Sequence, residues 1–166
     1  MRSRVAGVFL AVALGSVVGA GCDGSGEDGA SRDAQVYVAT IRDILAEQPK
    51  SADPDVLPVV YVVGVGETKI PADIQAEVAV ELDEDAEIRF ADQRSEAMLE
   101  DTEHAPVRDK GLLVALGELP PDADPVDLDV EVYRSEEDWS KVVLTVARAS
   151  SQWTVTSSSV LPADDS

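Results

Sequence analysis

Apolar residues recur at three- and four-residue spacing along Ala34, Tyr37, Val38, Ile41, Ile44 and Leu45, which predicts a helix with one apolar face. Ser31 or Asp33 can cap its start, and Pro49 stops it. Residues 50–58, KSADPDVLP, are polar with two prolines and read as a loop. The run VVYVVGV that follows is apolar at consecutive positions up to Gly64 and Gly66, the pattern of a strand buried on both faces. Ile74, Val78 and Leu82 then mark a second helix over about 71–83. Pro71 suits its first turn and Asp73 the positive end of its dipole. After the acidic turn DEDAE, Ile88 and Phe90 alternate with Glu87 and Arg89 in a further strand. Strand, helix, strand in that order predicts a crossover unit with parallel strands and a right-handed connection.

The segment ADQRSEAMLEDTEHAPVRD starts with a helical turn, but beyond Leu99 it has no apolar period and reads as a long loop from 92 to 110. GLLVALGEL is a buried strand. In VDLDVEVYR, Val126, Leu128, Val130 and Val132 face one way, while Asp127, Asp129, Glu131 and Tyr133 face the other, so this strand has one wet face. Two more strands, about 139–149 and 152–159, join through ASSQ as a hairpin. Trp139 and Trp153 read as packing or hairpin-end residues. The expected fold class is α+β: two helices packed on one face of a mixed sheet that ends in an antiparallel meander. One domain spans 33–160, and LPADDS, 161–166, is a frayed tail. The element order also resembles the cone-shaped nuclear-transport-factor-like fold, which is the alternative arrangement. With IPADIQAEV before EIRFADQ, then VRDKGLLVALGEL and a terminal QWTVTSS strand, the chain is similar to small bacterial envelope lipoproteins of uncharacterised function. That similarity implies no catalytic residue.

The N-terminus carries a different pattern. Arg2 and Arg4 precede a stretch that is apolar or glycine from Val5 to Ala20 apart from Ser16, and Gly19, Ala20 and Gly21 lead to Cys22. This is the layout of a secretory signal, too short to span a bilayer and followed by no basic stop-transfer cluster. Residues 1–22 resemble the bacterial lipoprotein signal, although Gly19 stands where that family favours an aliphatic residue. In that family the cysteine is diacylated through its sulfur and becomes the mature N-terminus. The resemblance implies cleavage after residue 21, lipid attachment at Cys22, and a domain held at the extracytoplasmic face of the cell membrane. Plain secretion is the alternative. Residues 22–32, rich in glycine and acids, read as a lipidated flexible tether.

Charge narrows the partners. Against 33 acids the chain has 13 Lys and Arg, a net charge of −20. Removal of residues 1–21 takes away Arg2 and Arg4 but no acid, leaving −22. Such a surface disfavours nucleic acid and anionic bilayers, and leaves cationic partners and divalent metals open. With Cys22 the only cysteine, no disulfide can close within the chain, so stability rests on a core.

The chemistry is sparse. A serine triad needs a histidine, and the single one, His104, sits in the polar run EDTEHAPVRD with no nucleophile elbow anywhere in the chain. A zinc site lacks ligands. GVGET follows a strand but departs from both phosphate-binding glycine frames, since Lys69 stands where a third glycine would be, and it reads as a turn. No spacing selects one carboxylate pair for acid–base work. Asp122, Asp124, Asp127 and Asp129 in PPDADPVDLD are candidate calcium ligands, with Asp83, Glu84 and Asp85 as a second cluster, yet no EF-hand frame surrounds either. These readings lead to a noncatalytic binding or accessory module of the cell envelope, without a cofactor, that contacts a protein or a small ligand. A carboxylate-dependent enzyme and a calcium-binding surface protein are the alternatives. A deep apolar cavity between the second helix and the meander would favour a small ligand, and a filled core would favour protein contact.

Overall fold

The computed structural model describes residues 30–49, 56–66, 68–100, 102 and 104–161. The signal-like segment, Cys22, the tether up to residue 29 and the tail from residue 162 lie outside the described residues.

Helix α1, Arg32–Glu47, starts where the sequence pattern places it. Ser31 Oγ accepts from the Ala34 N–H at 3.4 Å, which satisfies one of the free donors of the first turn. Helix α2, Ala72–Glu81, begins immediately after Pro71, whose fixed φ suits a helix entry. The Ser31 N–H donates to the Glu77 carboxylate at 2.5 Å and so ties the start of α1 to α2. α1 buries Val36 and Thr40 in addition to the expected stripe, because it is wedged between α2 and the sheet.

Six strands form one sheet: β1 Val59–Gly64, β2 Glu87–Phe90, β3 Leu112–Leu116, β4 Val126–Ser135, β5 Asp138–Ala149 and β6 Gln152–Val160. Their spatial order is β2-β1-β3-β4-β5-β6. β1 is parallel to both β2 and β3, with Val60 opposite Ile88 on one side and Leu112 on the other. From β3 onward every pairing is antiparallel. The chain passes from β1 to β2 through α2 on the front face, then from β2 back across β1 to β3 through residues 91–111 on the opposite face. Direction and face both reverse, so the two crossovers share one hand.

The front core is continuous. Val36 and Ile41 of α1, Val78 of α2, Val60 and Val62 of β1, Val114 of β3, and Val126 and Leu128 of β4 are all fully buried in one cluster. Each such side chain contributes about 1.5–3 kcal/mol of burial free energy before ordering entropy is charged against it. The fold is α+β, with α1 and α2 on one face of a mixed sheet that ends in an antiparallel meander.

Three details differ from the sequence reading. Tyr133 alternates onto the expected wet face of β4 but is only 4 % exposed, since residues 97–107 cover that end of the strand. The 92–110 segment begins with the expected helical turn, α3, Arg94–Ala97, but beyond it the described residues do not form a free loop: Met98, Ala105 and Val107 pack back on the sheet. Leu161, expected in the frayed tail, donates its N–H to Lys141 O at 2.8 Å and prolongs the β5–β6 pairing.

Candidate functional site

The back face of the sheet has a covered half and an open half. Over β1, β3 and the end of β4, a strap formed by the described residues among 91–110 lays Ala97, Met98, Ala105 and Val107 on Tyr61, Val63, Leu113 and Tyr133. The strap has no apolar period, and polar bonds accompany its apolar contacts. Met98 bridges to Val107, Leu99 N–H donates to Pro106 O at 2.9 Å, and Val107 N–H donates to Arg134 O at 3.0 Å. Arg108 Nε donates to Met98 O at 2.5 Å, and Tyr133 OH donates to Ala105 O at 3.1 Å.

Asp109 fixes the end of the strap. Its φ of 55° and that of Lys110 at 54° are left-handed, a region that costs non-glycine residues energy and that aspartate tolerates better than most. Tyr61 OH donates to Asp109 Oδ2 at 2.8 Å. Arg89 Nη1 donates to the same oxygen at 2.5 Å and to Tyr61 OH at 2.7 Å, while Glu87 holds Arg89 Nη2 at 2.8 Å. The Tyr61 hydrogen bond, followed by that of Arg89, keeps the Asp109 carboxyl below its ordinary pKa. Glu87 and then Asp109 push the Arg89 guanidinium further up. The cluster clamps a turn with a pair that is charged at neutral pH, in the opposite sense to the raised acid that proton transfer at neutral pH requires.

At the other flank of the strap lies a depression of about 410 Å³. Arg94 stands 4.2 Å from the Tyr133 ring centroid and pairs with Glu131, and its Nε is buried without a hydrogen-bond partner. His104 Nδ1 is 3.7 Å from Glu136 Oε1, and both side chains are about two-thirds exposed. Lys141 Nζ lies 5.8 Å from the centroid of Trp139, which is 42 % exposed. These groups can hold a partner by stacking and charge. The contact of His104 is the Glu136 carboxylate.

The open half carries Asp127 and Asp129 of β4 with Val143 and Thr145 opposite them on β5. Asp127 Oδ1 accepts from Thr145 Oγ1 at 2.7 Å, and Asp129 is exposed. Asp122 and Asp124 belong elsewhere, in the turn before β4. Asp124 accepts from Arg148 N–H at 3.2 Å, and Arg32 donates to the neighbouring Ala123 O at 2.7 Å. The four aspartates are therefore not brought together. Among the described residues no three His, Cys, Asp or Glu converge as metal ligands. Asp85 of the second acidic cluster is paired with Arg42 at 2.8 Å. In GVGET the described residues turn: Thr68 N–H donates to Val65 O at 3.1 Å, a Cβ at Gly64 would lie 2.0 Å from the Thr68 carbonyl oxygen, and Gly66 has φ of 61°. Cys22 lies outside the described residues.

The Arg89–Tyr61–Asp109 and Arg94–Tyr133–Glu131 groups escape a reading of the sequence. Their members are 20 to 48 positions apart in the first group and up to 39 apart in the second, and only the strand register and the strap bring them together. Period-two alternation alone could have put Arg89 and Tyr61 on one face once β1 and β2 were paired. No protein-family model matches the chain, and neither a curated protein nor a solved structure matches it.

Proposed function

We propose that this chain is a noncatalytic binding or accessory module of the cell envelope, anchored to membrane lipid through an acylated Cys22 and contacting a protein through the open half of its sheet. The observation that carries the reading is the filled core. Between α2 and the meander, where a small-ligand cavity would lie, α1 intervenes, and Val36 and Ile41 of α1 join Ile74, Val78 and Leu82 of α2 and Leu128, Val130 and Leu144 of the meander in one buried cluster. The surface offers the acidic row of β4 and the Arg94–Trp139 depression side by side, while a wider depression of about 890 Å³ opens apart from them, between Leu45, Leu57 and Leu112. Nine residues, 23–31, separate Cys22 from the first residue of α1, a reach of at most about 30 Å when extended. The domain would thus work close to the bilayer, at the extracytoplasmic face.

The anchor is tested by fractionating cells that make the native chain or the Cys22→Ser variant. Retention of the native chain by membranes and release of the variant is the expected outcome, and retention of both would refute the anchor. Cross-linking the native chain in its membrane and recovering one protein in near-equal amount supports the accessory role. Recovery of the chain alone speaks against it.

A further inference from the structure

We propose that β6 is a docking edge that accepts an extended, basic polypeptide segment as a seventh strand. The surface is distinct from the back-face site, and failure here leaves the accessory reading standing. β6 ends the strand order and pairs only with β5 among the described residues. Exposed edges are normally blunted by charge, proline or shortness. The opposite edge, β2, follows that rule with four residues that include Glu87 and Arg89. β6 breaks it: nine residues, QWTVTSSSV, contain no charge and no proline.

The register identifies the free backbone groups. Leu161 N–H donates to Lys141 O, so alternate pairs along the ladder, 143 with 159 and 145 with 157, exchange backbone bonds. In the intervening pairs, 142 with 160 and 144 with 158, the N–H and C=O of Ser158 and Val160 point away from β5. These are the groups a new strand would meet.

Charge selects the occupant. Beside the first half of β6, a groove of about 560 Å³ runs against α1, floored by Val38, Trp153 and Val155 and bearing the carboxylates of Asp43 and Glu81. Its cation, Arg42, is committed to Asp85 Oδ2 at 2.8 Å and to Glu81 O at 2.7 Å. Side chains of an added strand alternate between the two faces, so those turned to the front would meet an apolar floor with two carboxylates. Within a chain of net charge −20, a second copy is repelled and a cationic strand attracted.

The test is a titration of the full chain with a labelled short peptide alternating valine and lysine, and with its valine–glutamate counterpart. Saturable binding of the lysine peptide, about tenfold or more tighter than the glutamate peptide, is expected. Ser158→Pro should weaken it about tenfold, since it removes an outward N–H and leaves the β5 ladder intact. Asp43→Asn with Glu81→Gln should weaken it a few-fold and flatten its salt dependence. Should Ser158→Pro fail to fold, the lysine peptide N-methylated along one edge serves with the native chain, and must lose binding. Equal binding of the two peptides, or indifference to N-methylation, overturns the proposal. So does a dimer in sedimentation that Ser158→Pro dissolves, because the occupant of the edge is then a second copy.

Discussion

The two faces of the sheet are built by different means. On the front, two regular helices bury Val36, Ile41 and Val78 against Leu128 and the other inward residues of the strands, and the cover is almost wholly apolar. On the back, the strap buries Ala97, Met98, Ala105 and Val107 on the sheet, with Ala91 half-buried beside them, and depends on Tyr133, Arg108, Asp109 and Arg89 for its position. The front cover should therefore open only with global unfolding, whereas the strap can loosen by itself. A protein with this division keeps a rigid platform and one adjustable surface beside its open half.

The largest test of that difference is a cavity on the front. Leu128→Ala, at a fully buried position, is expected to cost about 2–5 kcal/mol and to lower the denaturant midpoint of the whole domain, read by far-UV circular dichroism. Tyr133→Phe removes the hydrogen bond to Ala105 O and should cost about 1 kcal/mol. Its distinctive mark is faster amide exchange confined to the strap, with α1 and β3 as protected as before.

Extremes of pH should separate the faces further. Asp109 has a folded pKa below its unfolded value, so the stability it contributes is present at neutral pH and is lost as pH falls through the folded value. Thermal unfolding at pH 7 and in acid should show a smaller acid loss for Asp109→Asn than for the native chain. On the front, Tyr37 is buried and donates to Gly117 O at 3.1 Å. Burial, then Asp33 and Glu118, push its phenol up to about 12. Its contribution is complete below the ordinary value near 10 and is lost as pH rises through the folded value. Tyr37→Phe should remove that alkaline slope from thermal unfolding curves. The smallest effect belongs to the open half: Asp129→Ala should change stability by no more than about 0.5 kcal/mol, with no calcium-dependent change in Tm for either form.

The same division explains what could be read from the chain. The front was legible because its elements are periodic: three- and four-residue spacing in α1 and α2, unbroken apolar runs in β1 and β3, and alternation in β4. Caps and stops such as Ser31 and Pro71 put the helix starts within a residue or two. The strap was not legible. Ala97, Met98, Ala105 and Val107 are too scattered to make a period, and their partners lie on strands distant in sequence. Tyr133 escapes the pattern for the same reason, since alternation gives the face of a strand but says nothing of what covers that face. At the candidate site, single residues such as His104 and Trp139 stood out by rarity, while the pairing of Arg94 with Glu131 depended on tertiary register. The aspartate run in PPDADPVDLD was the converse: neighbours in sequence that the turn before β4 and the strand itself send to different faces.

The central claim is that the open half of the back face is the surface through which this module meets a partner. The most direct measurement places a photo-cross-linking residue at Asp129, exposed on that face, or at Val80, 70 % exposed on α2, in the native chain in its own membrane. A discrete adduct from position 129 and none from position 80 is the expected result. Adducts from 80 alone, or the same smear from both, would contradict it.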